Sequence, residues 1–243
     1  MYHVFGFSIK TGYAEWRGPG VNGYLVARDR YVDDIVQKAL ADGLQQLVIL
    51  GAGYDSRAYR FDLAGRVKTF EVDHPSTQHD KLVKLGKIFG KVPEHVTYVA
   101  IDLNTQLLED SLLEAGYDPM RKTLFIWQGV TMYLTSIAVE KTLEFVVSHS
   151  SVGSAIVFDY VYRDVLEGVQ KHSEISNMRR YHFMTGEGLT FGIDEGCAEA
   201  WLKERGFRQS QDINAIDLKQ AYFTGVNASR RIAEGYGIAI GVV

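Results

Sequence analysis

Between Gln46 and Tyr160, short apolar runs alternate with longer amphipathic stretches, the pattern of strand–helix–strand repeats and hence of a parallel sheet. The apolar runs predict strands at Gln46–Leu50, Lys68–Val72, Val96–Ile101, Leu124–Trp127 and Ser154–Asp159. The intervals predict helices at Ser76–Gly90, Thr105–Ala115 and Ser136–Ser148. In the last of these Ile137, Val139, Leu143, Val146 and Val147 form one apolar stripe, with Glu140, Lys141 and Glu144 on the polar side. Ahead of the first strand, Tyr24–Ala41 reads as a helix carrying Leu25, Val26, Tyr31, Val32, Ile35, Val36 and Leu40, closed by Gly43. Beyond the fifth strand the pattern loosens from Val161 to Ile193, then gives a helix at Glu195–Arg205, a strand at Arg208–Ile213 and a closing strand in Gly235–Val243. A seven-stranded, mostly parallel sheet with its last strands antiparallel uses every piece. With no repeat, low-complexity tract or linker, one domain over 1–243 is expected, with 1–43 as an N-terminal lid and helix and 161–195 as a substrate-side insertion.

The first strand runs directly into chemistry. Leu47-Val48-Ile49-Leu50 feeds Gly51-Ala52-Gly53-Tyr54-Asp55-Ser56-Arg57, a buried strand ending in a glycine turn followed by an acid and a base. Glycines at the carboxyl end of a parallel strand let the backbone approach a ligand that a Cβ would block. A dinucleotide loop wants a third glycine where Ser56 stands, and Asp55 repels a phosphate but suits an ammonium or sulfonium. A cationic cofactor such as S-adenosylmethionine therefore fits the loop better than a nicotinamide dinucleotide. An ordinary tight strand-to-helix turn explains the same two glycines.

Composition narrows the partners. The chain has 243 residues, 46% hydrophobic and 23% charged, with only four prolines, as expected of an ordered globular protein. A net charge of −4 and no Lys/Arg run give no electrostatic reason to bind nucleic acid. The single cysteine, Cys197, cannot form an intramolecular disulfide, reads as a packed or half-buried helix residue, and fits a cytoplasmic setting. No apolar run reaches bilayer-spanning length, and Met1–Lys10 lacks a basic segment followed by an apolar block. His74 and His79, separated by Pro75 and lacking a third ligand, imply no metal.

Four motifs then appear in order: Leu50-Gly51-Ala52-Gly53-Tyr54-Asp55-Ser56-Arg57, Phe70-Glu71-Val72-Asp73-His74-Pro75, Asp102-Leu103, and Gly129-Val130-Thr131-Met132-Tyr133-Leu134. Together they resemble the leucine carboxyl methyltransferase family of S-adenosylmethionine-dependent enzymes over roughly Tyr24–Tyr160, with a weaker match at Gly206-Phe207 and Gly235-Tyr236. The resemblance implies a Rossmann-like class I methyltransferase fold, an α/β sheet with helices on both faces and a small helical lid. The lid aromatics left by a short N-terminus would be Tyr13, Trp16 and Tyr24.

The residues carry roles within that frame. Asp73, just past the second strand, can accept from two ribose hydroxyls, and Glu71, two residues earlier on the same side, is a second candidate. Asp102 would reach the adenine amino group and the Leu103 backbone a ring nitrogen, with Asn104 left to cap the next helix. The resemblance assigns the cofactor's carboxylate to Arg28, with Arg30 as second choice. Gln128 stands where the family usually carries a glutamate facing the cofactor, so an amide replaces a charge.

The expected reaction is methyl transfer to an oxygen of a small-molecule or peptide carboxylate, which is ionised at neutral pH and needs no general base. Arg179 and Arg180 are candidates to pair with it, Tyr181, Phe183 and Phe191 to form its pocket, and His182 to act as a base or to pack a lid. Homodimer formation is compatible with this reading. The alternatives are a non-catalytic S-adenosylmethionine-binding homologue and a nicotinamide-dependent oxidoreductase.

Overall fold

The computed structural model describes residues 19–168 and 188–243. Seven strands form one sheet: β1 Gln46–Leu50, β2 Lys68–Asp73, β3 Val96–Ala100, β4 Thr123–Trp127, β5 Ala155–Val161, β6 Gln209–Asn214 and β7 Tyr236–Val242, in the order β3-β2-β1-β4-β5-β7-β6. β1 and β4 are buried along their whole length, which is why they read as continuous apolar runs rather than alternating ones. β1 pairs in parallel with β2 on one side and β4 on the other, while β7 is antiparallel to both β5 and β6. The last two strands are antiparallel to each other, as expected; β7 alone is reversed, and β6 runs with the other strands.

The helices are α1 Val21–Ala41, α2 Arg57–Arg60, α3 Pro75–Phe89, α4 Leu108–Glu114, α5 Ser136–Ser148, α6 Arg163–Glu167, α7 Ala198–Glu204 and α8 Ala215–Tyr222. The chain moves from β1 outward to β3 and then returns across the sheet to β4 and β5. Right-handed crossovers therefore put α2 and α3 on one face and α4 and α5 on the other. Local chemistry sets the starts. α3 opens with Pro75 at its first position and the His74 ring accepting from the Ser76 N–H, and Thr135 caps α5 through the Ala138 N–H at 3.2 Å. α8, which the periodicity did not reveal, is held by a capping box in which Asn214 and Asp217 bond each other's backbone N–H. Cys197 is exposed and precedes α7 rather than packing within it.

α1 lies against α8 and β4, with Tyr24 only 1% exposed and its ring stacked on Tyr236 at 4.5 Å. Tyr24 is thus a core contact and not a lid aromatic; Tyr13 and Trp16 lie outside the described residues. Among the described residues no helix is long and apolar enough to cross a membrane.

Candidate functional site

Strand order reverses between β1 and β4, and there a cavity of about 580 Å³ opens at the carboxyl ends of the strands. Such switch points are where open α/β sheets bind ligands. The loop after β1 lines one side, the segment Gln128–Tyr133 after β4 the other, and Arg28 and Asp29 of α1 with Asp159 of β5 lie between them.

Two glycines shape the first loop. Gly51 adopts φ 62°, and a Cβ there would sit 2.3 Å from Val130 Cγ2 in the facing loop. Gly51→Ala should therefore cost about 1–2 kcal/mol of stability from the left-handed backbone alone, measured by urea unfolding. It should also weaken cofactor binding by pushing the loops apart, and adding Val130→Ala should restore only the binding. Gly53 donates its N–H to Asp73 Oδ2 at 2.5 Å, and His74 donates to Asp73 Oδ1 at 2.7 Å. Burial raises the Asp73 carboxyl above the usual aspartate range despite these two donors.

Glu71 shares the strand side with Asp73, as the two-residue spacing requires, and neither is among the residues that line the cavity; Asp73 stands behind Gly53, which does. The Glu71 carboxylate is 2% exposed, lies 2.8 Å from the Lys81 ammonium and accepts from Tyr59 at 2.8 Å. Burial nevertheless raises its pKa, outweighing the lowering by Lys81. Lys81, from α3, also donates to the carbonyls of Asp55 at 2.9 Å and Ala52 at 3.4 Å. The glycine loop is thus fastened from below by a buried ammonium, and the second ribose candidate is that ammonium's counter-ion.

Asp55 also differs from expectation. Its oxygens accept from the Arg57 N–H at 2.7 Å and from Arg57 Nη1 at 2.5 Å, so its charge is met within the protein. Arg57 in turn holds Asp33 of α1 at 2.8 Å, tying the loop to that helix. Asp55 lines the cavity, but as one half of an ion pair.

Across the cavity floor, Arg28 Nη1 meets Asp159 Oδ2 at 2.5 Å, and Asp159 Oδ1 accepts from the Gly129 N–H at 2.5 Å. Burial would lower the Arg28 pKa, yet Asp159 beside it drives it upward and keeps the guanidinium charged. Gln128 donates its amide N–H to the Asp29 carboxylate. Because a carboxylate can only accept from the amide, the Gln128 oxygen is the end left over. That oxygen and Arg28 Nε are both buried and without a protein hydrogen-bond partner, and both residues line the cavity.

The Asp102 carboxylate accepts from the Asn104 N–H and the Thr105 hydroxyl, each at 3.0 Å. Asn104 is engaged with the Thr135 N–H at 3.1 Å. Neither residue caps α4, whose N-cap position is Leu107 with no side-chain cap, and neither Asp102 nor Leu103 lines the main cavity. Phe191 packs in the core against Trp201, with ring centroids 5.8 Å apart, and not in the pocket. Arg30 is exposed. Arg179, Arg180, Tyr181, His182 and Phe183 lie outside the described residues.

Sequence reasoning missed Lys81, Asp159, Asp29 and Asp33. Asp159 had a signal, an acid inside the apolar run Ile156-Val157-Phe158-Asp159-Tyr160. Lys81 had a weaker one: Gln78, Lys81 and Leu85 share the buried stripe of α3 at helical spacing.

Comparison with known proteins adds an independent line. A family profile described as leucine carboxyl methyltransferase matches residues 6–147. The chain is 29% identical over 200 residues to the Bacillus subtilis protein named "Putative S-adenosyl-L-methionine-dependent methyltransferase YktD", covering 82% of this chain and 66% of that one. It is 30% identical over 190 residues to a Parafrankia protein with the same style of name, Franean1_4929, covering 77% and 59%. The chain thus spans less than two thirds of the length of these curated relatives. Among solved structures, a duf574 family protein from Streptomyces avermitilis aligns at TM-score 0.64 and 13% identity, over 95% of this chain and 88% of that one. Magnesium protoporphyrin IX methyltransferase (ChlM) from Synechocystis, solved with bound SAH, aligns at TM-score 0.50 and 14% identity over 99% and 98%. At such identities the likeness concerns the fold.

Proposed function

Since the chain belongs to the leucine carboxyl methyltransferase family, we propose that it transfers a methyl group from S-adenosylmethionine to an acceptor oxygen, that of a carboxylate on a small molecule or a peptide end. The observation that carries the cofactor is the pair of buried, unpartnered groups in the cavity, Arg28 Nε and Gln128 Oε1. A donor on a cation and an acceptor on an amide match the carboxylate and ammonium of an amino-acid end. When bound, the cofactor supplies a methyl on positively charged sulfur: an acceptor lone pair forms the O–C bond, the C–S bond pair returns to sulfur, and a methyl ester and S-adenosylhomocysteine result.

The protein's part is to hold and orient. Asp73 takes the ribose hydroxyls, Gly51 and Gly53 admit the cofactor close to the backbone, and Asp102 with the Leu103 backbone is assigned to the adenine. Asp29 fixes which end of Gln128 is presented, so an amide offers the same acceptor that one oxygen of a glutamate would. Asp55 acts through Arg57 by holding the loop to α1. Arg180, Tyr181 and His182 are assigned to the acceptor side. A carboxylate acceptor is supported by the lining itself, where among the described residues there is no histidine and Asp55 and Asp159 are each held by an arginine. An ionised acceptor needs no base from the protein.

Asp73→Ala should weaken S-adenosylmethionine binding about 100-fold, the loss of two hydrogen bonds to a charged acceptor, as read by calorimetric titration. Unchanged affinity would refute the ribose assignment. The same titration against pH should show affinity highest above the Asp73 pKa and falling as the carboxylate protonates. Because burial raises that pKa, the fall should begin at higher pH than for an ordinary aspartate. The linked stability runs the other way in the cofactor-free protein. The cost of the buried charge is present above the folded pKa and disappears as pH falls below it.

A further inference from the structure

The cavity has two unlike halves. The glycine-loop half carries the polar groups already described. The other half is built from Val21, Tyr24 and Leu25 on the first turn of α1, Met132 and Tyr133 after β4, and Tyr236 at the start of β7. Val21, Tyr24, Met132 and Tyr236 are largely packed into the core and meet the cavity by their edges, while Leu25 and Tyr133 are half-buried and present more of their surface to it. This wall is also fixed in place. The Met132 carbonyl accepts from the Thr190 N–H at 2.8 Å, the Thr190 hydroxyl donates to the Leu134 carbonyl at 2.7 Å, and the Tyr24 hydroxyl donates to the Gly237 carbonyl at 3.3 Å.

Charge is distributed unevenly between the halves. Each arginine of the lining is already matched: Arg28 by Asp159 at 2.5 Å, Arg57 by Asp33 and Asp55, and Arg60 by Asp33. No lysine or arginine stands in the apolar half among the described residues. A polar, multiply charged acceptor would lose its hydration there and gain no counter-charge. An acceptor with an apolar body would instead exchange water for Met132, Val21 and the aromatic rings.

We infer that the methyl acceptor is a lipophilic monocarboxylic acid, with an aryl or alkyl body seated on the wall of Val21, Tyr24, Leu25, Met132 and Tyr236 and its carboxylate at the junction with the cofactor half. The inference rests on the methyltransferase reading above and adds the chemical class of the acceptor to it. Among the described residues, a second carboxylate or an added ammonium on the body would meet no opposite charge on this wall.

Calorimetric titration of the protein loaded with S-adenosylhomocysteine tests this without turnover. 4-Phenylbutyrate should bind at least about tenfold more tightly than butyrate, the advantage of burying one phenyl ring, and succinate more weakly than either. Met132→Gln, close in volume, should remove most of that advantage and leave S-adenosylhomocysteine affinity intact. Leu25→Asn, on the facing helix, makes the same test if Met132→Gln does not fold. Equal binding of phenylbutyrate and butyrate to the loaded protein, or an advantage that survives both substitutions, overturns the inference. Failure of S-adenosylhomocysteine itself to bind overturns the cofactor assignment and this inference with it, so the two failures read differently.

Discussion

Lys81→Met is expected to lower unfolding free energy by about 3–5 kcal/mol, because it strands the Glu71 carboxylate in the interior without its cation. Both side chains are nearly inaccessible, 4% and 2% exposed, so water cannot replace the lost partner. For a chain of this length the loss corresponds to roughly 6–20 °C in Tm. Lys81→Met/Glu71→Leu should recover most of it, since removing both charges also removes their desolvation cost. The cofactor should distinguish the two variants from the parent in another way. The Asp55 carbonyl loses its lysine donor in both, and the Ala52 carbonyl keeps only the Asp55 N–H, so S-adenosylmethionine affinity should stay reduced in the double variant although its stability returns. Urea unfolding and calorimetric titration of the three proteins separate the effects. A double variant that binds like the parent would mean that Lys81 holds only the core and not the loop.

Asp159→Ala should be comparably severe, about 3–5 kcal/mol, because Arg28 then keeps a buried charge with no close acid of its own. Asp29, the remaining acid near it, is 3.6 Å from Arg28 and more than half exposed. The same substitution frees the Gly129 N–H, leaving the loop after β4 tied to β5 there by the Thr131 hydroxyl on the Asp159 carbonyl. Arg28→Met/Asp159→Leu should regain stability but fail to bind S-adenosylmethionine, since the guanidinium proposed to receive the cofactor's carboxylate is gone. Cofactor binding by that double variant would move the carboxylate's partner elsewhere.

The strands inside the sheet could be read from the chain because burial on both faces leaves a continuous apolar run; β1 matches at both ends and β4 begins one residue earlier than expected. α5 was equally clear, since one face meets the sheet and the other meets solvent. Legibility failed where polar groups are spent on one another. Glu71 and Asp73 are indistinguishable in sequence, two acids on one side of one strand. Their fates differ because Lys81 rises from the following helix beneath only one of them. Asp102 and Asn104 are both good caps by residue type, yet neither caps α4: Asp102 closes its own turn and Asn104 accepts from Thr135, thirty-one residues later. The direction of β6 was not legible for a related reason. Strand patterning records which faces are buried and is silent on polarity, which here follows from β7 entering between β5 and β6.

That insertion sets an order of assembly on the ribosome. Among the described residues β6 has no neighbour in the sheet other than β7, so it waits unpaired until residues 236–242 have emerged. The aromatic wall waits with it, because Tyr24 of the first described helix is completed by the stacked ring of Tyr236 and the carbonyl of Gly237. A nascent chain reaching only to Asn214 would already hold the residues of both cofactor loops and all of the apolar wall except Tyr236. The stacking of Tyr24 on Tyr236 is thus completed only once β7 has been made.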